Sequence, residues 1–306
     1  QPTQQRQHPH RIKKFYRTSA KRVWISAGAI KPVERYSSKI TDKNTENKNG
    51  VIGSRDYYFF IVNIMRISRF YTPTPLRVDD EIELDAQLGH YINNVLRLKQ
   101  SDPIVLFNGD GNEYSAEVLS ITKKKVIAII NSQLSMRSES PLNIHLAQGV
   151  SKGDRMDFAL QKSVELGVTE ITPVITERCA VKLSADRWQK KYEQWQKIII
   201  SACEQSGRNV LPTLNQPIAL NKWLGQSTEQ QKVILTPGSS KYMSSLIRPI
   251  HGFRLLIGPE GGLSEQEVYT CEQTGFESVN LGPRILRTET AALASISIMQ
   301  ALFGDL

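Results

Sequence analysis

Two short apolar segments near the end of the chain each run into a Gly-Pro turn and then into a segment with helix-forming features. In residues 255–263, Leu-Leu-Ile precedes Gly-Pro-Glu-Gly-Gly-Leu, and in residues 279–292, Val-Asn-Leu precedes Gly-Pro-Arg. Apolar runs of this length are typical of buried parallel strands. Backbone groups in the turns that follow are free to bind a ligand, because no strand or helix uses them. Two neighbouring turns of this kind predict one shared pocket.

The first turn is rich in glycine. Gly258, Gly261 and Gly262 permit backbone conformations and close approaches that a Cβ would block. Ser264, followed three residues later by Glu267, predicts a capping box and the start of a helix. The turn lacks the G-x-G-x-x-G spacing of a dinucleotide site and the lysine of a P-loop. A plain strand-to-helix connection is the alternative interpretation of this turn alone.

The second turn carries charge. Arg284 and Arg287 lie beside the glycine, and arginines on such a loop are typical contacts of a phosphate, a base edge or a developing negative charge. Thr288 and Glu289 follow. A hydroxyl or a carboxylate at a helix start can accept hydrogen bonds from the unpaired N–H groups there. The alternative is therefore that Thr288 and Glu289 only cap the last helix.

The alternation of strand and helix patterns after residue 141 predicts an α/β fold with a parallel sheet. The predicted strands are Leu142–Ala147, Ile171–Val174, Val233–Thr236, Leu255–Ile257 and Val279–Leu281. The predicted helices are Arg155–Leu166, about Arg187–Ser206 with Gly207 as its end, and Thr290–Phe303.

Residues 65–135 resemble a small β domain, joined by the polar linker 134–140 to the rest of the chain. Strand patterns cover Ile104–Phe107, Glu113–Ile121 and Val126–Gln133, and a helix carrying His90 and Arg97 is predicted over Gln87–Leu98. We expect His90 to be a half-exposed structural residue rather than a ligand. Lysines 123–125 lie at a predicted hairpin tip, which is either a solvated turn or a phosphate contact.

The net positive charge of the chain comes from its first 64 residues. That segment contains thirteen Lys or Arg and four Asp or Glu, which accounts for the whole net charge of +9. We expect residues 1–64 to be disordered or loosely attached. Translated upstream sequence, a basic RNA-binding arm and a transit-type presequence are the three interpretations. Because the remaining 242 residues are neutral overall, RNA affinity there must come from local patches.

The cysteine and histidine patterns predict no metal site and no disulfide framework. Cys179, Cys203 and Cys271 are widely separated, and no H-E-x-x-H motif occurs. This pattern fits a reducing cytosol, so the predicted location is cytoplasmic. No apolar run is long enough to cross a bilayer, so no membrane partner is expected.

Several motifs in a fixed order make the chain similar to the SPOUT, or alpha/beta-knot, methyltransferases. The resemblance begins at Met65 and continues to Leu306, and at position 179 this chain has Cys where we expect Ser. Within that superfamily it is most similar to the branch that methylates N3 of a uridine in 16S rRNA. The motifs that carry the resemblance are 65–71, 148–156, 161–168, 176–179, 204–208, 257–262 and 281–292.

The resemblance implies a fold and a set of partners. It implies a C-terminal SPOUT domain over residues 141–306 with a deep trefoil knot, and a PUA-like β-barrel over residues 65–135 that helps hold RNA. It also implies S-adenosylmethionine as cofactor, a homodimer, and 16S rRNA in the 30S subunit as substrate. The cofactor-binding residues expected from it are Leu235, Thr236, Pro237, Ile257, Gly258, Pro259, Glu260, Gly261, Gly262, Leu281, Gly282, Ile285, Leu286, Arg287, Thr288 and Ala291.

The chemistry of uridine N3 suggests which residues act on the substrate. N3 carries a proton, so a group must accept that proton or stabilise charge on the flanking carbonyl oxygens. We expect Arg287 to stabilise charge or orient the base and Glu289 to be a candidate proton acceptor. Candidate RNA contacts are Arg69, Arg97, Lys124, Lys152, Arg155, Lys162, Arg178 and Arg208.

Two other functions remain open from the sequence. A sister enzyme of the same superfamily could act on another RNA, for example as a tRNA ribose 2′-O-methyltransferase, and mapping the methylated nucleotide separates the two. A non-catalytic RNA-binding or ribosome-assembly protein would bind rRNA without binding S-adenosylmethionine.

Overall fold

The computed structural model describes residues 67–122, 125–135, 138–181 and 183–306, all within one compact unit. The basic segment 1–64 and Lys124 lie outside the described residues, so the predictions for them stay predictions.

The first part of the described chain forms a five-stranded sheet with the order β1-β3-β4-β5-β2. Tyr114, Ala116 and Val118 alternate along β4 and point into the core of this sheet, as the period of two requires. The three predicted strands are confirmed within two residues, whereas β1 and β2 were not predicted. The strands are β1 (Ser68–Tyr71), β2 (Glu81–Leu84), β3 (Pro103–Phe107), β4 (Asn112–Ile121) and β5 (Val126–Ser135).

The predicted helix over Gln87–Leu98 is a short α-helix that continues as a π-helical turn. Helix α1 (Ala86–His90) begins after Asp85, whose carboxylate accepts the N–H groups of Gln87 and Leu88. The π-helical turn, Tyr91–Leu96, ends where Arg97 takes a left-handed φ of 55°. His90 is exposed at the end of α1.

The rest of the chain forms a parallel sheet with the order β12-β10-β11-β6-β7-β8, and β9 pairs with β7. Four of the five predicted strands are confirmed, and the fifth, Val279–Leu281, is displaced to Glu277–Val279; the two-residue strands β8 and β9 are too short for a periodic pattern. The strands are β6 (Ile144–Gly149), β7 (Glu170–Ile175), β8 (Thr213–Leu214), β9 (Ile218–Ala219), β10 (Gln231–Leu235), β11 (Phe253–Ile257) and β12 (Glu277–Val279).

Five α-helices accompany this sheet in the described residues. The predicted long helices are confirmed, with starts that lie one or two residues earlier than predicted. Gly207 ends one of them with a φ of 81°, and the capping box of Ser264 and Glu267 starts another, both as predicted. The helices are α2 (Asp154–Glu165), α3 (Ala185–Ser206), α4 (Leu220–Leu224), α5 (Glu265–Gln273) and α6 (Thr288–Phe303).

The parallel sheet is buried on both faces, because successive residues of its strands belong to different apolar clusters. Leu146 and Leu255 pack in the cluster that contains α2, α3 and α6 residues. Their neighbours Ala147 and Leu256 pack in the cluster that contains α4 and α5 residues. The fold is therefore α/β with helices on both sides of a parallel sheet, and the carboxyl ends of its strands stay accessible at one edge.

The small sheet contacts the C-terminal end of α3. Arg69 of β1 donates to Asn209 at 2.6 Å, and the N–H of Tyr71 donates to Glu204 at 3.1 Å. Burial raises the pKa of Glu204, and the Tyr71 N–H and the Arg69 charge offset that effect only partly. Phe107 of β3 is fully buried in the core of the larger sheet. We call this set of contacts the inter-sheet contact.

The three cysteines are free and buried. Burial raises the pKa of the Cys203 and Cys271 thiols to about 12. In the described part of the chain, no group of three His, Cys, Asp or Glu side chains is placed to hold a metal ion. Within the same residues, no helix is both long and apolar enough to span a bilayer.

A buried histidine lies at the amino end of the parallel sheet, far along the strands from their carboxyl ends. His145 pairs in register with Arg254 on one side and Glu170 on the other, and its Nε2 lies 2.7 Å from the Thr172 hydroxyl. Arg254 is held over the Trp223 ring, with its guanidinium carbon 4.0 Å from the ring centroid. Burial, and then the Arg254 charge, lower the pKa of His145 to about 3.

This histidine makes stability depend on pH. Between pH 6.5 and about 3 the unfolded chain binds a proton at His145 that the folded protein excludes. The contribution of His145 to stability is therefore complete above pH 6.5 and is lost as the pH falls towards 3. We expect His145→Gln to flatten the dependence of the unfolding free energy on pH, by at most about 1.4 kcal/mol per pH unit. Urea unfolding from pH 7 to 4 measures this, with the exposed His90→Gln as control. Equal slopes in both variants would contradict the argument.

Candidate active site

A cavity of about 840 Å³ lies at the carboxyl edge of the parallel sheet. Its walls come from the end of β10, the glycine turn after β11, the loop before α6, the start of α6, and α5. The first Gly-Pro turn and the residues that follow the second one therefore line the same space, so the two turns are neighbours as the sequence predicts. Of the predicted cofactor-binding residues, the cavity is lined by 235–237, 257–262, 285–288 and Ala291, and Leu281 and Gly282 lie outside the lining.

The glycine turn needs its glycines for two different reasons. Gly262 has a φ of 68°, which side chains rarely adopt, and its N–H donates to the Pro259 carbonyl at 2.9 Å. At Gly258 the reason is space, since an added Cβ would come within 3.1 Å of the Leu263 nitrogen. The turn thus brings backbone, rather than side chains, to the cavity wall.

One hydroxyl ties the two turns together. Thr288 Oγ1 donates to the Gly258 carbonyl at 2.6 Å and accepts from Gln148 Nε2 at 2.8 Å. The residue at the N-cap position of α6 is Arg287, and no side chain caps this helix start. The hydroxyl of Thr288 therefore joins the end of β6, the glycine turn and the start of α6. Thr288 does not act as a helix cap, which was the alternative interpretation.

The end of β6 packs directly on the glycine turn. A Cβ added to Gly149 would lie 2.4 Å from the Pro259 nitrogen and 2.7 Å from the Gly258 carbonyl carbon. Such distances do not occur between unbonded atoms, so only glycine fits here while the turn keeps its position.

In the loop of the second turn, one apolar side chain packs against the core and the other long side chains are exposed. Its backbone is fixed by Gly282, which has a φ of 108° and donates its N–H to Asn280 Oδ1 at 2.8 Å. Leu286 packs against the core, whereas Ile285 is 88% exposed at the cavity. The exposed Arg284 lies outside the cavity lining.

The two predicted catalytic residues both line the cavity. The Arg287 side chain is exposed and has no hydrogen bond or ion pair to any described residue, although the Arg287 carbonyl accepts the Ala291 N–H. Glu289 is partly buried, and its Oε2 is buried without a hydrogen-bond partner among the described residues. A donor and an acceptor without internal partners thus face the same space, as a site for a polar reactant requires.

Two of the predicted RNA contacts, Arg155 and Arg178, also line the cavity. Arg155 and the N–H of Lys152 donate to Glu260 at 3.2 Å and 2.9 Å. Burial raises the pKa of the Glu260 carboxyl, but its own N–H, the Lys152 N–H and Arg155 outweigh burial and lower the pKa. Arg178 donates to two carbonyls of the glycine turn, each at 3.3 Å.

Other predicted RNA contacts lie away from the cavity. Arg208 is 3% exposed and donates to Glu139, Val164 and Val168, so its charge is used inside the fold. Arg69 forms an ion pair with Glu113 of the same small sheet and also takes part in the inter-sheet contact. Lys162 pairs with Glu165 on α2 at 2.6 Å, and Arg97 is exposed on the small sheet's helical segment. The prediction for Arg208 is therefore wrong as to accessibility, because a carboxylate 69 residues away in the sequence neutralises it.

The sequence reasoning missed one wall of the cavity. Leu263, Glu265, Val268, Tyr269 and Glu272 line it from α5 and the residues just before. The capping box predicted this helix, and residues 265, 268, 269 and 272 share one helical face. The sequence alone does not show which face of this helix meets the cavity, so no local signal could have found them.

Comparison with known proteins gives matches over both parts of the described chain. An RNA methyltransferase domain family matches residues 138–300, and an RNA methyltransferase PUA domain family matches residues 84–131. The chain is similar to ribosomal RNA small subunit methyltransferase E of Buchnera aphidicola subsp. Schizaphis graminum, with 40% identity over 242 residues, 79% of this chain and 98% of the relative. The Bacillus subtilis protein of the same name is 35% identical over 229 residues, 71% of this chain and 90% of the relative.

Solved structures of similar proteins hold a cofactor. A ribosomal RNA small subunit methyltransferase E from Neisseria gonorrhoeae, bound to S-adenosyl methionine, is 43% identical with a TM-score of 0.74, covering 79% of this chain and all of that one. A Legionella pneumophila protein, in complex with the same cofactor, is 45% identical with a TM-score of 0.76 and the same coverage.

The fit between β6 and the glycine turn can be tested by adding one methyl group. We expect Gly149→Ala to lower the unfolding free energy by about 1–3 kcal/mol, because the turn or the strand must move. Gly225→Ala is the matched control, since a Cβ there meets its nearest atom at an ordinary 3.6 Å. Urea unfolding measures both variants. A Gly149→Ala protein as stable as the control would show that the contact is not tight.

Proposed function

The chain belongs to the ribosomal RNA small subunit methyltransferase E family, and we propose that it transfers a methyl group from S-adenosylmethionine to N3 of a uridine in 16S rRNA. The observation that carries this proposal is the single cavity lined by the glycine turn, by residues 285–287 after the second Gly-Pro turn, and by the end of β10. Relatives that match nearly their whole length to this chain carry the methyltransferase name, and two similar structures hold the cofactor.

The residues at the cavity fit S-adenosylmethionine. A volume of about 840 Å³ lies in the range of about 300–1,000 Å³ that is usual for small-molecule sites. A Cβ at Gly262 would meet no atom within 4 Å, so the turn keeps open a space that a side chain would fill. Leu235, Ile257 and Leu286 offer apolar surface for the adenosine and methionine carbons. The bound cofactor supplies an electrophilic methyl group on a sulfonium.

The chain's own residues act on the uridine. Arg287 is exposed at the cavity without an internal partner, so its guanidinium is free to orient the base or to stabilise negative charge on the uracil oxygens. The unpartnered Oε2 of Glu289 is the candidate acceptor for the N3 proton. Because methyl transfer needs aligned groups, the fixed loop before α6 contributes by positioning these two residues.

The substrate RNA is proposed to approach along the cations at the cavity. Lys152, Arg155 and Arg178 lie together at one side of it, and Arg97 is exposed on the small sheet. Phosphate contacts of this kind position RNA, while the cavity selects the base. The target nucleotide must leave its stack to reach the cavity.

We also propose the knot, the barrel, the domain boundaries, the dimer, the location and the assembled substrate that the family resemblance implies. The tight packing of β6, the glycine turn and α6 supports a deep trefoil knot at the cofactor site, and the small sheet supports a PUA-like barrel. The proposed domains 65–135 and 141–306 are supported by family matches that cover residues 84–131 and 138–300. Leu302 and Leu306 leave apolar surface exposed at the end of α6, which supports a homodimer. A cytoplasmic location and assembled 30S subunits as substrate follow from the same function.

The direct test is to incubate the protein with small ribosomal subunits that lack the modification and with methyl-labelled S-adenosylmethionine. We expect label in 16S rRNA at a single uridine, on N3, located by nuclease digestion and mass spectrometry. Label on a ribose, or in tRNA supplied alongside, would assign the chain to a different reaction.

Variants of the two loop arginines test the role of Arg287. We expect Arg287→Ala to lower turnover about 100- to 1,000-fold, the loss seen for one charge-stabilising donor, while the cofactor Kd changes little. Arg284→Ala is the matched control, because Arg284 lies three residues away on the same loop but outside the cavity lining, and it should lose far less turnover. If Arg287→Ala instead weakens cofactor binding and keeps turnover, Arg287 holds the cofactor rather than the base.

A further inference from the structure

Tyr269 is the single aromatic residue among the described residues that line the cavity. It lies on α5, in the wall that the sequence reasoning missed, and it is 57% exposed. Its hydroxyl has no hydrogen bond and its ring no aromatic or cation–π contact within the described chain. The other sides of the cavity are formed by backbone turns, aliphatic groups and charged side chains.

The backbone of Tyr269 is well anchored although its ring is exposed. Helix α5 is held at its start by the capping box, in which Ser264 and Glu267 bond each other's backbone N–H groups at 3.2 Å and 2.9 Å. Val268, the neighbour of Tyr269, packs against the buried cluster of α4 and α5. A ring on such a rigid helix presents a flat surface with little loss of conformational freedom on binding.

The cavity has a buried floor and an exposed rim, and Tyr269 belongs to the rim. Ile257, Thr288 and Ala291 at the floor are at most 6% exposed. Tyr269 and Ile285, both at the cavity, are the large apolar side chains there that remain mostly in solvent. A cofactor held by the backbone of the turns occupies the floor, whereas a base that arrives from solvent meets the rim first.

We propose that Tyr269 stacks on the uracil of the target nucleotide when it enters the cavity. This inference rests on the proposed function, because it requires an RNA base and a bound methyl donor in the same cavity. A nucleotide that leaves its stack loses its neighbouring bases, and an aromatic side chain replaces part of that contact. The exposed Ile285 offers a second apolar surface at the rim for the same base.

The stacking proposal makes a specific kinetic prediction. Base–aromatic stacking contributes enough that its loss should raise the KM for unmodified small ribosomal subunits about 5- to 150-fold in Tyr269→Ala. The Kd for S-adenosylmethionine, measured by calorimetry, should stay unchanged. Tyr269→Phe keeps the ring and should restore the KM, whereas Tyr269→Leu, with apolar bulk but no ring, should restore it only in part.

The matched control is Tyr242→Ala. Tyr242 is 55% exposed, nearly the same as Tyr269, and it does not line the cavity. We expect its KM for the subunits to equal that of the wild type. Circular dichroism and the unfolding midpoint of each variant separate a loss of contact from a loss of structure, because removing an exposed side chain should move neither.

Each outcome decides between the possible roles of the ring. A Tyr269→Ala protein whose KM for subunits is unchanged overturns the proposal. One whose cofactor Kd rises as much as its KM also overturns it, because the ring then stacks on the adenine of the cofactor. A Tyr269→Phe protein as impaired as Tyr269→Ala would show that the hydroxyl acts, not the ring. If the wild type itself neither binds S-adenosylmethionine nor labels rRNA, the proposed function fails, independently of Tyr269.

Discussion

The hydrogen bonds of the Thr288 hydroxyl are the interaction on which the cavity depends. They join Gln148 at the end of β6, Gly258 in the glycine turn and the first residue of α6, although Gln148 and Thr288 are 140 residues apart in the sequence. Gly149 lets the same strand end approach the turn more closely than any side chain would allow. Because the contact is buried and short, each segment fixes the other two, and the backbone groups of both turns stay aimed at one space.

The charged groups at the cavity divide into those the fold uses and those it leaves available. Glu260 is held by Arg155 and the Lys152 N–H, and Arg178 is bonded to the glycine turn, so these residues shape the walls. Arg287 and one oxygen of Glu289 have no such partners among the described residues. The buried, unpaired oxygen of Glu289 costs the fold stability, and both groups keep their interactions for a reactant.

The sequence predicted the strands, the long helices and the meeting of the two turns, because apolar periodicity and caps are local and the carboxyl ends of parallel strands share one edge. It missed β8, β9 and α4, which are too short for a period, and it named the buried Arg208 as a candidate RNA contact. The burial of Arg208 depends on Glu139, a partner that no local pattern reveals. The wall formed by α5 was missed for a related reason, since only the path of the chain shows which helical face meets the cavity. The cofactor and the substrate were predicted from the family resemblance in the order of motifs, not from a physical pattern in the sequence.

Because of the inter-sheet contact, the small sheet and the larger sheet cannot be exchanged independently of each other. Phe107 comes from the small sheet yet is buried in the core of the larger one, and Glu204 of α3 accepts the N–H of Tyr71. Excising the small sheet would open a void the size of a phenylalanine ring and leave a half-buried carboxylate without its donor. An RNA-holding domain from another protein therefore cannot be grafted here by exchanging sequence at the linker alone. The grafted domain must also provide an aromatic side chain in the position of Phe107 and a backbone N–H that can donate to Glu204.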